Sequence, residues 1–536
     1  MYAFTSPHGR MSLNYCENKL CENVCSSICM REWLVGTNCN WHTKLFTKLK
    51  VDDMASHLQL HFILFPLLAQ GHMIPMIDIA RLLAKRGVIV TIVTTPRNAA
   101  RYTAVIARAR ESGFQIKLEQ VHFPFEAAGI PEGCENFDML PSNEMASSFM
   151  NALSLLHLPA EKLVQELTPR PSCIISDMYF PWTANLATKF HIPRISFSGF
   201  SSFCMLCEHN IHNSNVLDNI GSESECFVVP GLQERVEFTK AQVGMFIRPN
   251  VQEYLDKVLA AEKVSYGMII NTFEELEPAY IKEFKKVRAN KAWSIGPVSL
   301  YNKDTLDKIQ RGNKASIDED ECLKWLDLQQ PGSVIYACFG SISNLMPSQM
   351  IELGLGLEAS RKPFIWVLRE GDQSKALEKW ILEYGFGERI RERGLLIRGW
   401  APQLLILSHQ AIGGFLMHCG WNSTLEAITM GVPMVTWPLC GDQFVNEKLV
   451  VQVLKIGVSV GVEVPLQWGE EEKVGVLVKE EDVNNAINRL MDKGEEGEGR
   501  RRRARELGEM AKRSVEEGGS SHLNLTMLIE AIMQQV

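Results

Sequence analysis

Short apolar segments alternate with amphipathic segments along most of the chain. Residues 60–65 predict a buried strand, residues 74–85 a helix with Pro75 in its first turn, and residues 88–94 a second strand rich in β-branched side chains. Strands that are apolar throughout are typical of a parallel sheet covered on both faces. This part of the pattern therefore predicts a strand–helix–strand unit.

Further apolar runs repeat the pattern towards the C-terminus. They lie at residues 173–175, 195–197, 268–270, 334–337, 364–367 and 414–417. The repetition predicts an α/β, doubly wound architecture. A polar, turn-rich stretch between residues 294 and 320 interrupts it and suits an interdomain linker. Because 536 residues exceed the usual size of one domain, we expect two.

The first 53 residues show no sustained periodicity. Five of the fourteen cysteines lie there without the paired C-x-x-C units of a zinc ribbon: Cys16, Cys21, Cys25, Cys29 and Cys39. We interpret residues 1–53 as a poorly ordered N-terminal extension, with a small metal-binding appendage as the alternative.

Composition and charge weigh against several classes of protein. The 46% of apolar and 22% of charged residues describe an ordinary globular protein, and the net charge of −8 gives no broad attraction to nucleic acid or anionic membranes. No apolar run reaches the roughly 18 residues that span a bilayer. The first thirty residues also lack the apolar segment of a signal peptide. We therefore expect a cytoplasmic monomer with no nucleic-acid partner and no integral membrane segment.

Most of the candidate ligand-binding side chains lie in one segment, residues 400–443, with the sequence WAPQLLILSHQAIGGFLMHCGWNSTLEAITMGVPMVTWPLCGDQ. Its pattern predicts a strand at 414–417, a turn, and a helix at 423–430. A turn that leads into a helix N-terminus presents unpaired N–H groups and the positive end of the helix dipole. Phosphate groups bind at such places.

The turn supplies further donors for a diphosphate. His418, Asn422 and Ser423 could donate from their side chains, and Gly420 would let the backbone approach the ligand closely. The competing interpretation is a capping box with Ser423 at the N-cap and Glu426 three residues later, which needs no ligand.

Residues on both sides of the turn favour a ligand. Trp400 can stack on a flat base, and Glu426 can accept hydrogen bonds from both hydroxyls of a ribose. Asp442 and Gln443 can bind adjacent hydroxyls of a sugar. Together with Gln403, these side chains suit a nucleotide sugar.

The whole segment resembles the signature box of the plant family-1 UDP-glycosyltransferases. It is 44 residues long, begins with W-x-P-Q, contains HCGWNS and ends with DQ. The resemblance implies uracil stacking on Trp400, the ribose on Gln403 and Glu426, the phosphates on the HCGWNS turn, and the sugar on the final DQ pair. The implied donor-binding set is Ser341, Trp400, Ala401, Gln403, His418, Gly420, Trp421, Asn422, Ser423, Glu426, Asp442 and Gln443. Trp421 combined with Gln443 is usual in members that use glucose.

The resemblance covers nearly all of residues 54–536 and implies a GT-B fold, with two Rossmann-like domains and the active site in the cleft between them. The expected organisation is an acceptor-binding domain at 54–300, a linker at 301–320, a UDP-sugar-binding domain at 321–515, and a C-terminal helix at 516–536 that packs back on the first domain.

The resemblance also implies a catalytic pair. His72 follows the first predicted strand, outside the carboxyl end of the sheet, where ligands bind in such folds. A nearby helix N-terminus favours neutral imidazole, which can accept a proton, although a lone histidine at such a position is more often structural. The family's catalytic histidine has the same G-H-x-x-P context, which assigns the general base to His72. The family's partner aspartate matches Asp177, whose alternative role is to cap a loop at a strand end.

The implied reaction is an inverting displacement that yields a β-glucoside. UDP-glucose is the expected co-substrate, with no other cofactor and no metal, since the sequence has neither an HExxH motif nor a carboxylate-rich cluster. The acceptor would be a small apolar molecule with a hydroxyl group, because the chain is similar to a subgroup that glucosylates flavonoids, terpenoids and steroid-like hormones.

Three alternatives remain beside this prediction. A nicotinamide dehydrogenase needs G-x-G-x-x-G between a strand and a helix, but Gly354, Gly356 and Ala359 lie in a segment that predicts the interior of a helix. A noncatalytic nucleotide-sugar-binding protein would keep the box and lose the base, so His72 argues against it. A different UDP-sugar donor stays open, because one or two side chains of the pocket decide that choice.

Overall fold

The structure of the chain is a computed structural model, which describes residues 59–246, 249–342, 345–369, 372–466 and 475–536. The predicted extension at residues 1–53 lies outside the described residues. Leu60–Val536 forms one compact unit.

The described residues contain fifteen strands, numbered in chain order. They are β1 (His61–Phe65), β2 (Ile89–Thr94), β3 (Ile116–Gln120), β4 (Cys173–Asp177), β5 (Arg194–Ser198), β6 (Cys226–Val228), β7 (Glu237–Thr239), β8 (Gly267–Ile270), β9 (Ala292–Ser294), β10 (Val334–Cys338), β11 (Phe364–Leu368), β12 (Gly394–Arg398), β13 (Ile412–Met417), β14 (Met434–Thr436) and β15 (Gly457–Ser459).

These strands form two parallel sheets and one small hairpin. The first sheet has the order β3-β2-β1-β4-β5-β8-β9, and the second has the order β12-β11-β10-β13-β14-β15. All pairings within both sheets are parallel, whereas β6 and β7 pair antiparallel. The doubly wound α/β prediction is confirmed: the six further apolar runs each lie within a strand, and the first two predicted strands begin one residue before β1 and β2.

Helices connect the strands and cover the sheets. They are α1 (Gln70–Lys85), α2 (Pro96–Glu111), α3 (Phe125–Ala128), α4 (Ala146–Leu155), α5 (His157–Glu166), α6 (Trp182–Phe190), α7 (Ser202–Ser214), α8 (Pro249–Val264), α9 (Pro278–Val287), α10 (Thr305–Ile309), α11 (Glu319–Asp327), α12 (Pro347–Ala359), α13 (Asp372–Glu383), α14 (Phe386–Ile390), α15 (Gln403–Leu407), α16 (Trp421–Thr429), α17 (Gln443–Lys448), α18 (Glu480–Leu490), α19 (Glu495–Val515) and α20 (Ser520–Met533). None of these helices in the described part of the chain has the length and apolar character that a bilayer span needs.

The cores lie on the faces of the two sheets. Strand β1 (HFILF) is buried along its whole length, as is β4 (CIISD) beside it, which explains why the sequences are apolar apart from His61 and the end of β4. The last helix, α20, adds Leu525, Leu528 and Ile532 to the core of the first sheet. Gly354 and Gly356 lie inside α12, so the letters of the dehydrogenase motif do not form a strand-to-helix turn.

Two predicted helix starts are wrong. Helix α1 begins at Gln70 rather than at 74, which puts His72 in its first turn. The buried side chain of Gln70 accepts a hydrogen bond from Tyr102 and donates one to Asp138, and these tertiary contacts extend the helix beyond its periodic part. Helix α16 begins at Trp421 rather than at Ser423.

Candidate active site

In both sheets the order in which the chain adds strands reverses once, and the predicted site residues follow the strands at that point. In the first sheet, β2 and β3 lie on one side of β1, whereas β4 and the later strands lie on its other side. In the second sheet, β11 and β12 lie on one side of β10, whereas β13 and the later strands lie on its other side. Ligands bind beyond the carboxyl ends of strands at such switch points. His72 and Asp177 follow or end β1 and β4, and the turns at Gly340 and His418 follow β10 and β13.

His72 and Asp177 form a hydrogen-bonded pair. The distance from His72 Nδ1 to Asp177 Oδ2 is 2.6 Å, and Asp177 is fully buried whereas 20% of the His72 side chain is exposed. The other carboxylate oxygen, Oδ1, accepts the backbone N–H of Tyr179 at 3.0 Å. Asp177 thus does both things considered from the sequence: it caps the loop after β4 and it orients the imidazole.

The environment of His72 sets its protonation. Burial lowers the pKa of His72, but the Asp177 carboxylate, and more weakly Asp442, outweigh burial and raise the pKa above its ordinary value. This direction differs from the neutral form expected beside a helix N-terminus, because a carboxylate in direct contact is the stronger influence. Tyr179 borders the imidazole edge-on, with 6.2 Å between ring centroids.

The HCGWNS segment does not form the capping box that was the competing interpretation of the sequence. Helix α16 starts at Trp421 with Gly420 as its N-cap, so Ser423 lies within the first turn. The Ser423 hydroxyl instead accepts a hydrogen bond from Gln403 Nε2 at 3.1 Å. Trp421 is buried and donates its indole N–H to the carbonyl of Asn271 at 2.8 Å, which draws the chain into the helix two residues earlier than predicted.

His418 is enclosed by two glycines. A Cβ atom would lie 2.6 Å from His418 Cε1 if placed on Gly340, and 2.4 Å from Nε2 if placed on Gly420. Burial lowers the pKa of His418 to about 4, so its imidazole is neutral near pH 7. Its Nδ1 is buried without a hydrogen-bond partner among the described residues. A neutral histidine carries one N–H donor, which a phosphate oxygen could accept.

The residues expected to bind the sugar lie at the start of α17. Asp442 precedes this helix, and its Oδ2 accepts a hydrogen bond from Asn446 at 2.7 Å. Burial raises the pKa of Asp442 to about 6, and the carboxylate interacts electrostatically with His72. Gln443 is less available, because its Oε1 accepts the backbone N–H groups of Leu439 and Cys440.

The nucleoside side of the site contains a residue that the sequence did not reveal. Glu426 accepts hydrogen bonds from Gln403 Nε2 at 2.9 Å and from Nη1 of Arg311. Arg311 lies in the predicted linker, which also contacts Trp400: Trp400 N donates to Ser316 Oγ, and Ser316 N donates to the Trp400 carbonyl, both at 2.8 Å. The linker thus borders the side chains expected to hold uracil and ribose.

Three other predicted donor-site residues are Asn422, Ala401 and Ser341. Asn422 donates its side-chain amide to the carbonyl of Gly71, next to His72, rather than standing free for a phosphate. Ala401 is buried and its carbonyl accepts the N–H of Gln403 at 2.8 Å. Ser341 is half-buried and directly follows the Gly340 turn. Within the described ranges, no group of three or more His, Cys, Asp and Glu side chains is arranged to hold a metal ion.

Comparison with known proteins agrees with this arrangement. Residues 59–300 match the model "Glycosyltransferase, N-terminal domain", and residues 300–492 match the model "UDP-glucoronosyl and UDP-glucosyl transferase". The chain is 57% identical over 478 residues to UDP-glycosyltransferase 73C6 of Arabidopsis thaliana, covering 89% of this chain and 97% of the relative. It is 56% identical over 478 residues to UDP-glycosyltransferase 73C11 of Barbarea vulgaris, with the same coverage.

Solved structures show the same fold. The crystal structure of Glycyrrhiza uralensis UGT73P12, complexed with glycyrrhetinic acid 3-O-monoglucuronide, has a TM-score of 0.82 and 36% identity, covering 89% of this chain and 96% of that one. Arabidopsis thaliana UGT89C1, complexed with UDP-L-rhamnose, has a TM-score of 0.69 and 28% identity, covering 89% and 99%.

The two parallel sheets, with their sites at the switch points, have the GT-B fold of glycosyltransferases. The chain belongs to the plant family-1 UDP-glycosyltransferases, as the signature box predicted. It is an enzyme that uses a UDP-sugar as co-substrate and transfers the sugar to a small acceptor.

Proposed function

We propose that this enzyme transfers glucose from UDP-glucose to a hydroxyl group of a small apolar acceptor and inverts the anomeric configuration, giving a β-O-glucoside. The observation that carries the proposal is the 2.6 Å contact between His72 Nδ1 and Asp177 Oδ2. It leaves Nε2 of His72 as the nitrogen that can accept a proton when Nδ1 donates to the carboxylate.

In the proposed mechanism, His72 Nε2 removes the proton of the acceptor hydroxyl. The hydroxyl oxygen forms a bond to the anomeric carbon from the face opposite UDP, and the bond between that carbon and the diphosphate oxygen breaks, with UDP taking the electron pair. Asp177 stabilises the imidazolium that forms, and general base catalysis of this kind contributes about 10²- to 10⁴-fold. The imidazolium then loses its proton to solvent.

The donor-binding part of the proposal follows the signature box. Trp400 stacks on uracil, and Glu426 with Gln403 binds the ribose. His418, Ser423 and the N–H groups at the start of α16 stabilise the departing diphosphate, since donors already in place act on developing charge without reorganisation. Ser341 and Asn422 assist there, Asn422 after exchanging its bond to Gly71.

The sugar is proposed to be bound by Asp442 and Gln443 beside Trp421. Glucose is our choice for the donor because this combination of Trp421 and Gln443 is the one usual in glucose-using members. The structure of UGT89C1 contains UDP-L-rhamnose, so another UDP-sugar is the competing possibility for this fold.

A small acceptor with a large apolar part agrees with one similar structure, since UGT73P12 is complexed with glycyrrhetinic acid 3-O-monoglucuronide. Tyr179 borders the His72 imidazole edge-on, and the buried Phe200 packs against Tyr179, with 6.2 Å between the ring centroids of each pair. Flavonoids, terpenoids and steroid-like hormones that bear a hydroxyl group are the proposed acceptor classes.

The test is a UDP-release assay with the purified full-length protein. UDP-glucose, UDP-galactose, UDP-xylose and UDP-L-rhamnose are each combined with a panel of flavonoid, terpenoid and steroid acceptors, and the anomeric configuration of the product is read from its proton NMR coupling. We expect the fastest release with UDP-glucose, a β-linked product, and loss of turnover in His72→Ala. Turnover in His72→Ala equal to that of the wild type would overturn the mechanism, and UDP binding without release from any donor would favour a binding protein.

The cytoplasmic location and monomeric state predicted from the sequence are also part of the proposal. Light scattering on the eluting protein tests the monomer, and a fluorescent fusion imaged in plant cells tests the location.

A further inference from the structure

Arg311 makes two ion pairs from the segment between the two sheets. Its Nη2 lies 2.7 Å from Asp78 Oδ2, and its Nη1 contacts Glu426 Oε1. All three side chains are at most 11% exposed, so this cluster of charges is removed from solvent. We refer to Asp78, Arg311 and Glu426 as the charge triad.

The partners of Arg311 belong to two functional helices. Asp78 lies in α1, six residues after His72, which is about 9 Å along a helix axis. Glu426 lies in α16, whose N-terminus is the proposed phosphate site. Arg311 therefore joins the helix of the proposed base to the carboxylate of the proposed ribose site.

The charge triad is not explained by stability alone. It contains two carboxylates and one guanidinium, so its net charge is −1, and buried ion pairs often contribute little or nothing to stability because desolvation offsets their attraction. Arginine is the side chain suited to this position, since its planar fork can donate to two carboxylates at once, whereas lysine carries a single compact charge.

The contacts of Glu426 leave it able to bind a ligand. Arg311 donates to Oε1 and Gln403 donates to Oε2, so each oxygen has one donor from the protein. A carboxylate oxygen can accept more than one hydrogen bond. The two hydroxyl groups of a ribose could therefore add their donors without displacing Arg311 or Gln403.

We propose that Arg311 is a positioning residue for the donor: anchored on Asp78, it holds the Glu426 carboxylate in the orientation that receives the ribose hydroxyls of the UDP-sugar. The proposal rests on the proposed ribose role of Glu426. It gives the linker a part in donor binding beyond its connection of the two sheets.

The test compares wild-type and Arg311→Lys full-length proteins by calorimetric titration with UDP and by steady-state kinetics. Lysine keeps the charge but lacks the planar fork that donates to the two carboxylates from separate nitrogens, so we expect the Kd for UDP and the KM for the UDP-sugar to rise about 10- to 150-fold, the range for losing one charge-assisted hydrogen bond. The KM for the acceptor should change less than twofold, as a role in donor positioning requires.

Asp307→Asn is the matched control. Asp307 pairs with Arg81 of α1 and with Arg108 of α2, so it also fastens the linker through partly buried ion pairs, but it does not contact Glu426. We expect its Kd for UDP to stay within twofold of the wild type. An equal loss in both variants would mean that general packing of the linker, and not Arg311, determines donor affinity, and the inference would be wrong.

A second variant covers the case in which Arg311→Lys does not fold. Asp78→Asn is isosteric, but its single oxygen cannot serve both Asn302 and Arg311, which bind separate oxygens of Asp78. We expect it to weaken UDP binding about threefold, less than Arg311→Lys, because Arg311 keeps Glu426 but loses its anchor. Unchanged UDP affinity in a folded Arg311→Lys or Asp78→Asn protein would refute the inference while leaving the proposed function intact. A wild-type protein that does not bind UDP would instead contradict the proposed function.

Discussion

Replacing Asp177 by asparagine tests the proposed general base through its partner. Asp177 uses both oxygens, Oδ2 towards His72 Nδ1 and Oδ1 towards the N–H of Tyr179. Asparagine has one oxygen, which must stay on the Tyr179 N–H to keep the loop after β4. Its NH₂ group then points at His72 Nδ1, which must give up its proton to accept this bond. The imidazole proton moves to Nε2, and that nitrogen can no longer accept the proton of a substrate.

The size of the effect follows from the bond that is lost. A hydrogen bond to a charged group contributes roughly 1.5–3 kcal/mol, and each 1.36 kcal/mol of activation free energy is a factor of ten in rate. Loss of the bond between Asp177 and the imidazolium therefore predicts a fall in kcat of about 10- to 150-fold. The wrong tautomer of His72 would add to this fall, so the range is a lower limit. The KM for the UDP-sugar should change little, since neither residue is proposed to contact it.

The assay is initial-rate UDP release from pH 5 to 9 for four proteins: the wild type, Asp177→Asn, His72→Ala and the double variant. In the wild type, kcat/KM should fall as the pH is lowered through a pKa above 6.5, because His72 acts as a base only when neutral and its pKa is raised. Asp177→Asn removes the charge that raises this pKa and leaves the burial that lowers it, so the acidic limb should move to lower pH.

The double variant decides whether the two residues act as one unit. If Asp177 works only through His72, the double variant should be no slower than His72→Ala alone. Effects that multiply, or an acidic limb that stays in place in Asp177→Asn, would refute the pairing as the source of catalysis.

Two further predictions concern the turn and the helix of the second sheet. Gly340→Ala puts a Cβ 2.6 Å from His418 Cε1, so we expect the KM for the UDP-sugar to rise about tenfold, the scale of one lost hydrogen bond. The control Gly332→Ala is also at positive φ but has no described atom within 4 Å of the new Cβ, so it should leave this KM unchanged. Equal KM changes in the two variants would point to backbone strain instead. Trp421→Phe leaves the buried carbonyl of Asn271 without its indole donor, so the free energy of unfolding in urea should fall by about 1–3 kcal/mol, and an unchanged urea midpoint would contradict this.

The fold was predictable where strands are buried on both faces. Strands β1 and β4 carry apolar runs, residues 62–65 and 173–175, because neither face meets water, and those runs are visible in the sequence. Strand β3, IKLEQ, was missed because it lies at the sheet edge and is only partly buried. Strands β9 and β14 have three residues each, too few to show a period.

Helix starts were less predictable, because contacts from distant parts of the chain decide them. The pattern Ser423-x-x-Glu426 has the letters of a capping box, yet the indole of Trp421 bonds to a carbonyl 150 positions away and the helix starts before the box. A local pattern carries no information about such a partner.

The charge triad shows the same limit for function. Arg311 pairs with residues 115 and 233 positions away, and a single arginine in a polar linker gives no periodic or motif signal. The signature box, by contrast, led to Glu426 and Gln403 through its resemblance to the family's box, and the two side chains are hydrogen-bonded to each other. Residues that share a family motif are thus easier to find in the sequence than a residue such as Arg311, which meets them only through the fold.

The signature box also connects the two sheets, which affects how substitutions in it should be interpreted. Trp421 bonds to Asn271 and Asn422 bonds to Gly71, so the N-terminus of α16 is tied directly to the turn that carries His72. A change at either position would move the proposed phosphate site relative to the base even if the side chain never touched the ligand. Lost activity at Trp421 or Asn422 is therefore evidence of donor contact only when UDP affinity falls and the free energy of unfolding does not.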